Sequence, residues 1–336
     1  VKSAMMAAPP PLLGESPAFH AALAHVSRVA PLERPVLVIG ERGTGKELIA
    51  ARLHYLSRRW DRPFVKVNCA ALPESLLDSE LFGHEAGAFT GATRRQIGRI
   101  EQADGGTLFL DEIATASPAV QEKLLRAVEY GEIERVGGRT AMVDVRVVGA
   151  TNGDLPALAE AGKFRADLLD RLAFDVVTLP PLRARPEDVA LLAGHFAVSM
   201  ARELGRPLFP GFTDAALAAL QGHDWPGNVR ELRNAVERSV AAAEPDAPVA
   251  AIILDPFASP WRPQPTRLPV EPPPEPPHPR HDDAPGGLLE ELRAFEAGKL
   301  RAALERNRFN QRQTADALGL GYHQLRGMLK KHGLIG

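Results

Sequence analysis

Gly40-Glu41-Arg42-Gly43-Thr44-Gly45-Lys46 stands between the apolar run Val36-Leu37-Val38-Ile39 and a helical stretch from Glu47 to Ser57. A glycine-rich loop that leaves a strand and opens a helix is the context a phosphate-binding loop needs. Its glycines let backbone N–H groups turn inward onto phosphate oxygens, and the helix N-terminus favours negative charge. Lys46 is placed to reach the β and γ phosphates. The stretch predicts a site for ATP or GTP made of Gly40, Glu41, Arg42, Gly43, Thr44, Gly45, Lys46 and Glu47. Glu47 departs from the motif, which usually has Ser or Thr there to ligand Mg2+. Metal binding must then lean on other groups.

Gly105-Gly106-Thr107-Leu108-Phe109-Leu110-Asp111-Glu112 supplies them. A buried strand ending in two carboxylates suits a Walker B motif. Asp111 is expected to hold Mg2+, directly or through water, and Glu112 to orient and polarise the attacking water. Further out, Phe64 to Val67 and Val145 to Val148 read as strands, with helices such as Ala119 to Tyr130 between them. This alternation predicts an α/β class with a mainly parallel, helix-covered sheet over residues 12–180. After Pro180-Pro181 the β signal fades. Glu187 to Glu203, Thr213 to Gln221 and Asn228 to Ala243 read as three helices, so residues 181–254 are expected to form an α-helical subdomain. Thr213 and Asn228 are its expected N-caps.

The texture then changes twice. Residues 255–287 are dominated by proline and cannot bury a core, so they read as a semi-rigid linker. Residues 288–336 are helical and basic. From Gly298 onward, eight Lys and Arg face only Glu305 and Asp316. Such asymmetry points to an anionic partner. Asn310 to Gly321 reads as a helix and then a glycine turn, and Tyr322 to Lys331 as a second helix. Ala315, Leu318, Leu320, Leu325 and Leu329 are the expected seam. This is helix-turn-helix spacing. Tyr322, His323, Gln324 and Arg326 lie early in the second helix, where they face base edges, while Lys330 and Lys331 suit phosphates.

One hexapeptide remains, Gly87-Ala88-Phe89-Thr90-Gly91-Ala92. It is a poor core strand and a poor helix, so it reads as an exposed loop. It resembles the GAFTGA signature of bacterial sigma-54-dependent activators. Glu80-Leu81-Phe82-Gly83-His84-Glu85, Phe109-Leu110-Asp111-Glu112 and Trp225-Pro226-Gly227-Asn228-Val229-Arg230-Glu231-Leu232 carry the same resemblance, as does the Lys46-Glu47 pair. The chain is thereby identified as a member of that family, nearest its phage shock branch. The resemblance implies an AAA+ P-loop ATPase core with an α-helical lid and a C-terminal Fis-like helix-turn-helix. It implies an ATP- and Mg2+-dependent activator that binds double-stranded enhancer DNA and remodels the sigma-54 RNA polymerase holoenzyme from closed to open complex. Residues 87–92 would touch sigma-54, and a second loop near Arg135-Val136-Gly137-Gly138 would support them. Thr151 and Asn152 would read the γ-phosphate, Arg230 would act from the lid, and Asn68 would couple Glu112 to the loop. Arg165 and Arg171 fit a helix surface of Arg–Asp pairs when taken alone. Within the resemblance they are arginine fingers acting in a neighbouring subunit, which implies a homo-oligomer, in this family a hexameric ring.

Composition narrows the setting. With 336 residues, 45% hydrophobic and 24% charged, and a net charge of −2, the chain suits a globular protein of two or three domains. No apolar run approaches a membrane span and the first residues lack a signal-peptide pattern, so a cytoplasmic protein without direct membrane insertion is expected. Cys69, the single cysteine, is expected to be buried and inert. With about a dozen residues ahead of Leu13, no receiver or ligand-sensing domain is expected before the ATPase. Control is therefore expected from expression level or from a partner, which in the phage shock branch is a PspA-like negative regulator. Trp60 is its expected contact, although a Trp half-buried at a helix end fits equally well. Two other functions use the same residues: a remodelling or helicase-loading ATPase merely tethered to DNA, and a repressor with a vestigial nucleotide site. The hexapeptide argues against the first, and intact Lys46, Asp111 and Glu112 against the second.

Overall fold

Five short strands run parallel in one sheet: β1 (Val36–Ile39), β2 (Phe64–Asn68), β5 (Thr107–Asp111), β8 (Arg146–Thr151) and β9 (Asp175–Thr178). Their spatial order is β2-β5-β8-β1-β9. The middle strands are buried along almost their whole length, as expected where helices cover both faces. Side chains alternate between two apolar clusters. Leu37 packs on one face with Leu81, Phe82, Ile113 and Leu168. Val36 and Val38 pack on the other with Val26, Ile49, Leu53 and Phe109. Helices α1 (Pro17–Val29), α2 (Lys46–Tyr55), α3 (Glu74–Phe82), α4 (Arg99–Gln102), α5 (Pro118–Tyr130), α6 (Leu155–Glu160) and α7 (Ala166–Leu172) surround the sheet. Two small hairpins, β3 (Gly83–His84) with β4 (Gln96–Ile97) and β6 (Glu132–Glu134) with β7 (Thr140–Met142), complete this part.

The coordinates are a computed structural model that describes residues 12–88, 92–138, 140–262 and 288–335. Two expectations about the sheet need correction. The strand expected from Val145 begins at Arg146 and continues to Thr151. Gly149-Ala150-Thr151 has little strand propensity of its own, but it is held between β5 and β1. The edge strand β9 has no counterpart in the sequence reading: it is as short as β1, but only Val176 and Val177 of its four residues are apolar.

The lid follows as α8 (Pro186–Glu203), α9 (Asp214–Gln221) and α10 (Asn228–Ala242). They enclose Trp225, which is fully buried and donates its indole N–H to the Leu220 carbonyl at 2.9 Å. Thr213 caps α9 as expected, accepting from Ala216 N. Asn228 does not cap α10. Gly227 occupies that position, and Asn228 starts the helix with φ 52° and its amide committed elsewhere.

The chain divides into two compact units, residues 1–260 and 261–336. The second holds α11 (Leu288–Arg306), α12 (Gln311–Ala317) and α13 (Tyr322–Lys331). Its core is Leu300, Leu304, Ala315, Leu325 and Leu329. Leu318 was expected in that seam but stands exposed. It is the C-cap of α12, beyond the buried face, and α11 fills the place. Of the predicted proline linker, residues 263–287 lie outside the described residues.

Candidate nucleotide site, output loop and DNA-binding helix

Because all five strands are parallel, their C-terminal ends share one edge, the side of an α/β sheet where ligands bind. Ile39, Asn68, Asp111 and Thr151 end there. The phosphate loop leaves β1 at this edge, with Gly40 N donating to Thr151 O at 3.3 Å. Gly43 and Gly45 have φ 82° and 96°, the left-handed region that glycine enters at little cost. A side chain on Gly43 would start 2.2 Å from the Gly227 carbonyl of the lid, so the loop and lid touch through backbone. Lys46 opens α2 and is buried, its amine donating to the carbonyls of Gly40 (2.9 Å) and Glu41 (3.3 Å). Burial pushes its pKa down, while Glu112 and Asp111 pull it up and Arg230 pushes it further down. Side chains from three distant stretches of the sequence, Lys46, Asp111-Glu112 and Arg230, therefore act on one another electrostatically.

Asp111 ends β5, and its two oxygens accept from Glu112 N (3.1 Å) and Asn68 Nδ2 (3.4 Å). Asn68 thus reaches Asp111 in this structure, not Glu112, while its own Oδ1 accepts from Ala70 N. Glu112 adopts φ 52°, an uncommon conformation for a residue with a Cβ. Cys69 is buried beside the carboxylates. Desolvation, then Asp111 and Glu112, push its thiol up to about 12, which makes it inert at neutral pH. Thr151 is buried and Asn152 exposed at the end of β8. Glu47 turns outward and pairs with Lys66 at 2.8 Å.

Three features escaped the sequence reading. The first is Asn228, fully buried, whose Oδ1 accepts from Leu182 N at 2.7 Å. Its Nδ2 donates to Glu41 Oε2 and to Arg42 O, both at 3.1 Å. The second is the bidentate pair of Arg183 with Glu41 (2.8 and 2.6 Å). Arg183 and Asn228 together hold the Glu41 carboxyl at a pKa of about 2. The third is an apolar cavity of about 100 Å³ beside Thr44 and Gly45, lined also by Leu12, Leu48, Phe196 and Val229.

The two expected finger arginines lie on or beside α7. Arg165 precedes the helix and forms a two-point pair with Asp167 (3.0 and 2.7 Å). Arg171 is exposed and pairs with Glu129.

The hexapeptide lies in the connection between β3 and β4. Gly87 N donates to Ala92 O at 2.7 Å across its base. Phe89, Thr90 and Gly91 lie outside the described residues. The second loop packs against the first: Glu85 N donates to Val136 O and Val136 N to Gly83 O. Arg135 joins them, reaching Glu101 at 2.6 Å and Glu85 at 3.3 Å. In the second unit Tyr322, His323, Gln324, Arg326, Lys330 and Lys331 are all exposed on α13. Gln324 Oε1 accepts from Gly321 N, and Lys331 lies 3.5 Å from Glu296, so both also serve the module's own structure. Asn310 caps α12 through Arg312 N and Gln313 N. Among the described residues no helix is long and apolar enough to cross a membrane.

Comparison with known proteins covers most of these elements. Residues 12–178 match the sigma-54 interaction domain, residues 183–257 an AAA+ ATPase lid domain, and residues 291–332 the Fis family of bacterial regulatory proteins. The chain is 57% identical over 323 residues to the Psp operon transcriptional activator of Escherichia coli (strain K12), covering 96% of this chain and 97% of that one. It is 54% identical over 234 residues to the Nif-specific regulatory protein of Azotobacter vinelandii, covering 69% of this chain and 44% of that one. The solved structure of NtrX from Brucella abortus in complex with ATP superposes with a TM-score of 0.67 at 34% identity, covering 96% of this chain and 70% of that one.

Proposed function

The chain belongs to the sigma-54-dependent enhancer-binding activators, and on that premise we propose how its residues divide the work and which genes it serves. It is an AAA+ ATPase that binds ATP, interacts with sigma-54 and carries a DNA-binding Fis-type helix-turn-helix. The proposal begins with the nucleotide. Gly40 to Lys46 cradle its phosphates, and the apolar cavity beside Thr44 takes its base. Asp111 offers an oxygen donor at the loop's mouth, the donor type that suits Mg2+. Mg2+ held there with ATP would supply charge neutralisation to the phosphates. Glu112 orients and polarises the attacking water. Thr151, Asn152 and Arg230 sense the γ-phosphate from the sheet edge and from the lid. Asn68 and Asp111 link this chemistry to the output loop, and residues 87–92 press on sigma-54 to open the closed complex.

Arg165 and Arg171 serve a neighbouring subunit's site, which makes a ring, hexameric in this reading, the active unit. Their present carboxylate partners, Asp167 and Glu129, are exchanged for phosphoryl oxygens on assembly. On α13, Tyr322, His323 and Arg326 read bases while Lys330 holds phosphate. Residues 12–180, 181–254, 255–287 and 288–336 act as ATPase core, lid, linker and DNA-binding domain. The likeness to the Psp operon activator supports phage shock genes as targets in the cytoplasm and a PspA-like negative regulator. Trp60, 56% exposed after α2, is the proposed contact for that regulator.

The observation that carries the reading is the shared sheet edge, where the phosphate loop leaves β1 beside Thr151, β5 ends at Asp111, and Gly43 lies against Gly227 and Arg230 of the lid. Its test is open-complex formation on a sigma-54 promoter with purified holoenzyme and ATP, comparing wild type with Thr90→Ala. Melting by wild type alone is expected. Hydrolysis without melting by the wild type would replace the reading with that of a general remodelling ATPase.

A further inference from the structure

The nucleotide cavity has a roof with its own anchor. Leu12 packs on the sheet cluster and Leu13 on the lid cluster, so this short segment stitches the two together across the cavity. Its neighbours Glu15 and Ser16 converge on one lid carboxylate. Asp188, fully buried in the first turn of α8, accepts from Glu15 N (2.5 Å), Ser16 N (2.9 Å) and Ser16 Oγ (2.8 Å). It also accepts from Arg185 Nε at 2.7 Å. Burial by itself would raise its pKa, but these bonds outweigh it and hold the carboxyl charged, below its ordinary value. Arg185 is 2% exposed, lines the cavity, and lies 3.9 Å over the ring of Phe19, another lining residue. Gly14 closes the arrangement, because a Cβ there would sit 2.4 Å from Phe19 and 2.9 Å from Arg185. Every group fixed by Asp188 borders the cavity or continues directly into its roof.

We propose that Asp188 is a positioning residue for nucleotide specificity, holding Arg185 and the Leu12–Ser16 segment against the cavity so that its shape selects the base. This rests on the reading of the cavity as the nucleobase site. Asp188 touches no phosphate-loop residue by hydrogen bond, so it acts on ground-state binding of the base and not on the chemical step. A buried carboxylate with four donors is also an unforgiving anchor, since removing its charge leaves Arg185 buried without its counter-ion.

The test compares the full chain as wild type, Asp188→Asn, Ser16→Ala and Val229→Trp in steady-state hydrolysis of ATP and GTP, with thermal unfolding alongside. Asp188→Asn is expected to raise KM for ATP about 10-fold, leave kcat within about twofold, and narrow the preference for ATP over GTP. Ser16→Ala should move KM and preference in the same direction, by about threefold. An unchanged KM and an unchanged preference in a folded Asp188→Asn protein would overturn the proposal. If Asp188→Asn fails to fold, Ser16→Ala decides by the same criterion. Val229→Trp fills the cavity itself and separates the two layers of the argument. If it leaves KM for ATP unchanged, the cavity is not the base site. If it raises KM while the other two variants do not, the cavity stands and the role of Asp188 falls.

Discussion

The two compact units use charge in opposite ways. In the ATPase unit charged groups are locked into networks: Asp188 under four donors, Glu41 between Arg183 and Asn228, and Arg146, 2% exposed, capping the carbonyls of Val29, Ala30 and Arg34. In the DNA-binding unit the core is a handful of apolar side chains, and Arg326 and Lys330 stand in solvent. A network fails as a whole, since removing one member strands its partners in low dielectric. Solvated cations act nearly independently and fade with salt. Damage to the first unit should therefore be large and dependent on geometry, and damage to the second graded and dependent on ionic strength.

The contrast breaks most sharply at Lys46. Lys46→Ala is expected to reduce phosphate release by about 100-fold or more, while footprinting of an upstream site remains unchanged. Weakened footprinting would show that the units are not separable in function. Next in size is Asn228→Ala, which strands Leu182 N and loosens the lid from the phosphate loop. Denaturant melts should register a loss of about 1–3 kcal/mol for the ATPase unit. A loss within error would mean that the Arg183–Glu41 pair and apolar packing hold the lid without Asn228. For the second unit, Lys330→Ala should lower DNA affinity uniformly across sequences and reduce the salt slope by about one, with ATP hydrolysis intact. A change in sequence preference would move Lys330 from phosphate to base contact.

The smallest effect concerns pH. The Glu41 carboxyl sits at about 2 in the folded chain against an ordinary 4.5. A depressed carboxyl contributes stability that is complete above its unfolded value and lost as pH falls toward its folded one. Wild type should therefore shed part of its stability between about pH 4.5 and pH 2, and Glu41→Gln should lose less over that window. Parallel acid melts of the two proteins would assign the acid sensitivity to other carboxylates.

What the sequence disclosed and what it hid follow from separation along the chain. The phosphate loop, the Asp111-Glu112 strand end and the helix-turn-helix are local patterns whose spacing carries their geometry. Four strands of the sheet and three lid helices were legible for the same reason. The bond from Ser16 to Asp188 spans 172 positions and that from Asn228 to Glu41 spans 187, so no periodicity announces them. Asn228 shows how a local rule misleads. Its residue type and place suggest an N-cap, yet its amide satisfies the backbone of Leu182 and Arg42 instead. Leu318 misleads in the complementary way: it is apolar and near a helix end, yet Leu300 and Leu304 of α11 complete the seam.

The contact of Gly83 with Gly98 has a consequence for inheritance. A Cβ on Gly98 would lie 2.4 Å from the Phe82 carbonyl carbon, and one on Gly83 would lie 2.5 Å from the Gln96 carbonyl oxygen. Both legs of the output loop therefore pass through an aperture closed to every side chain. Between those glycines a lineage can experiment with the tip while leaving the ATPase core untouched. At the glycines themselves the alphabet has a single letter, and a library randomised across residues 83–98 should return from selection for folding with glycine at both positions.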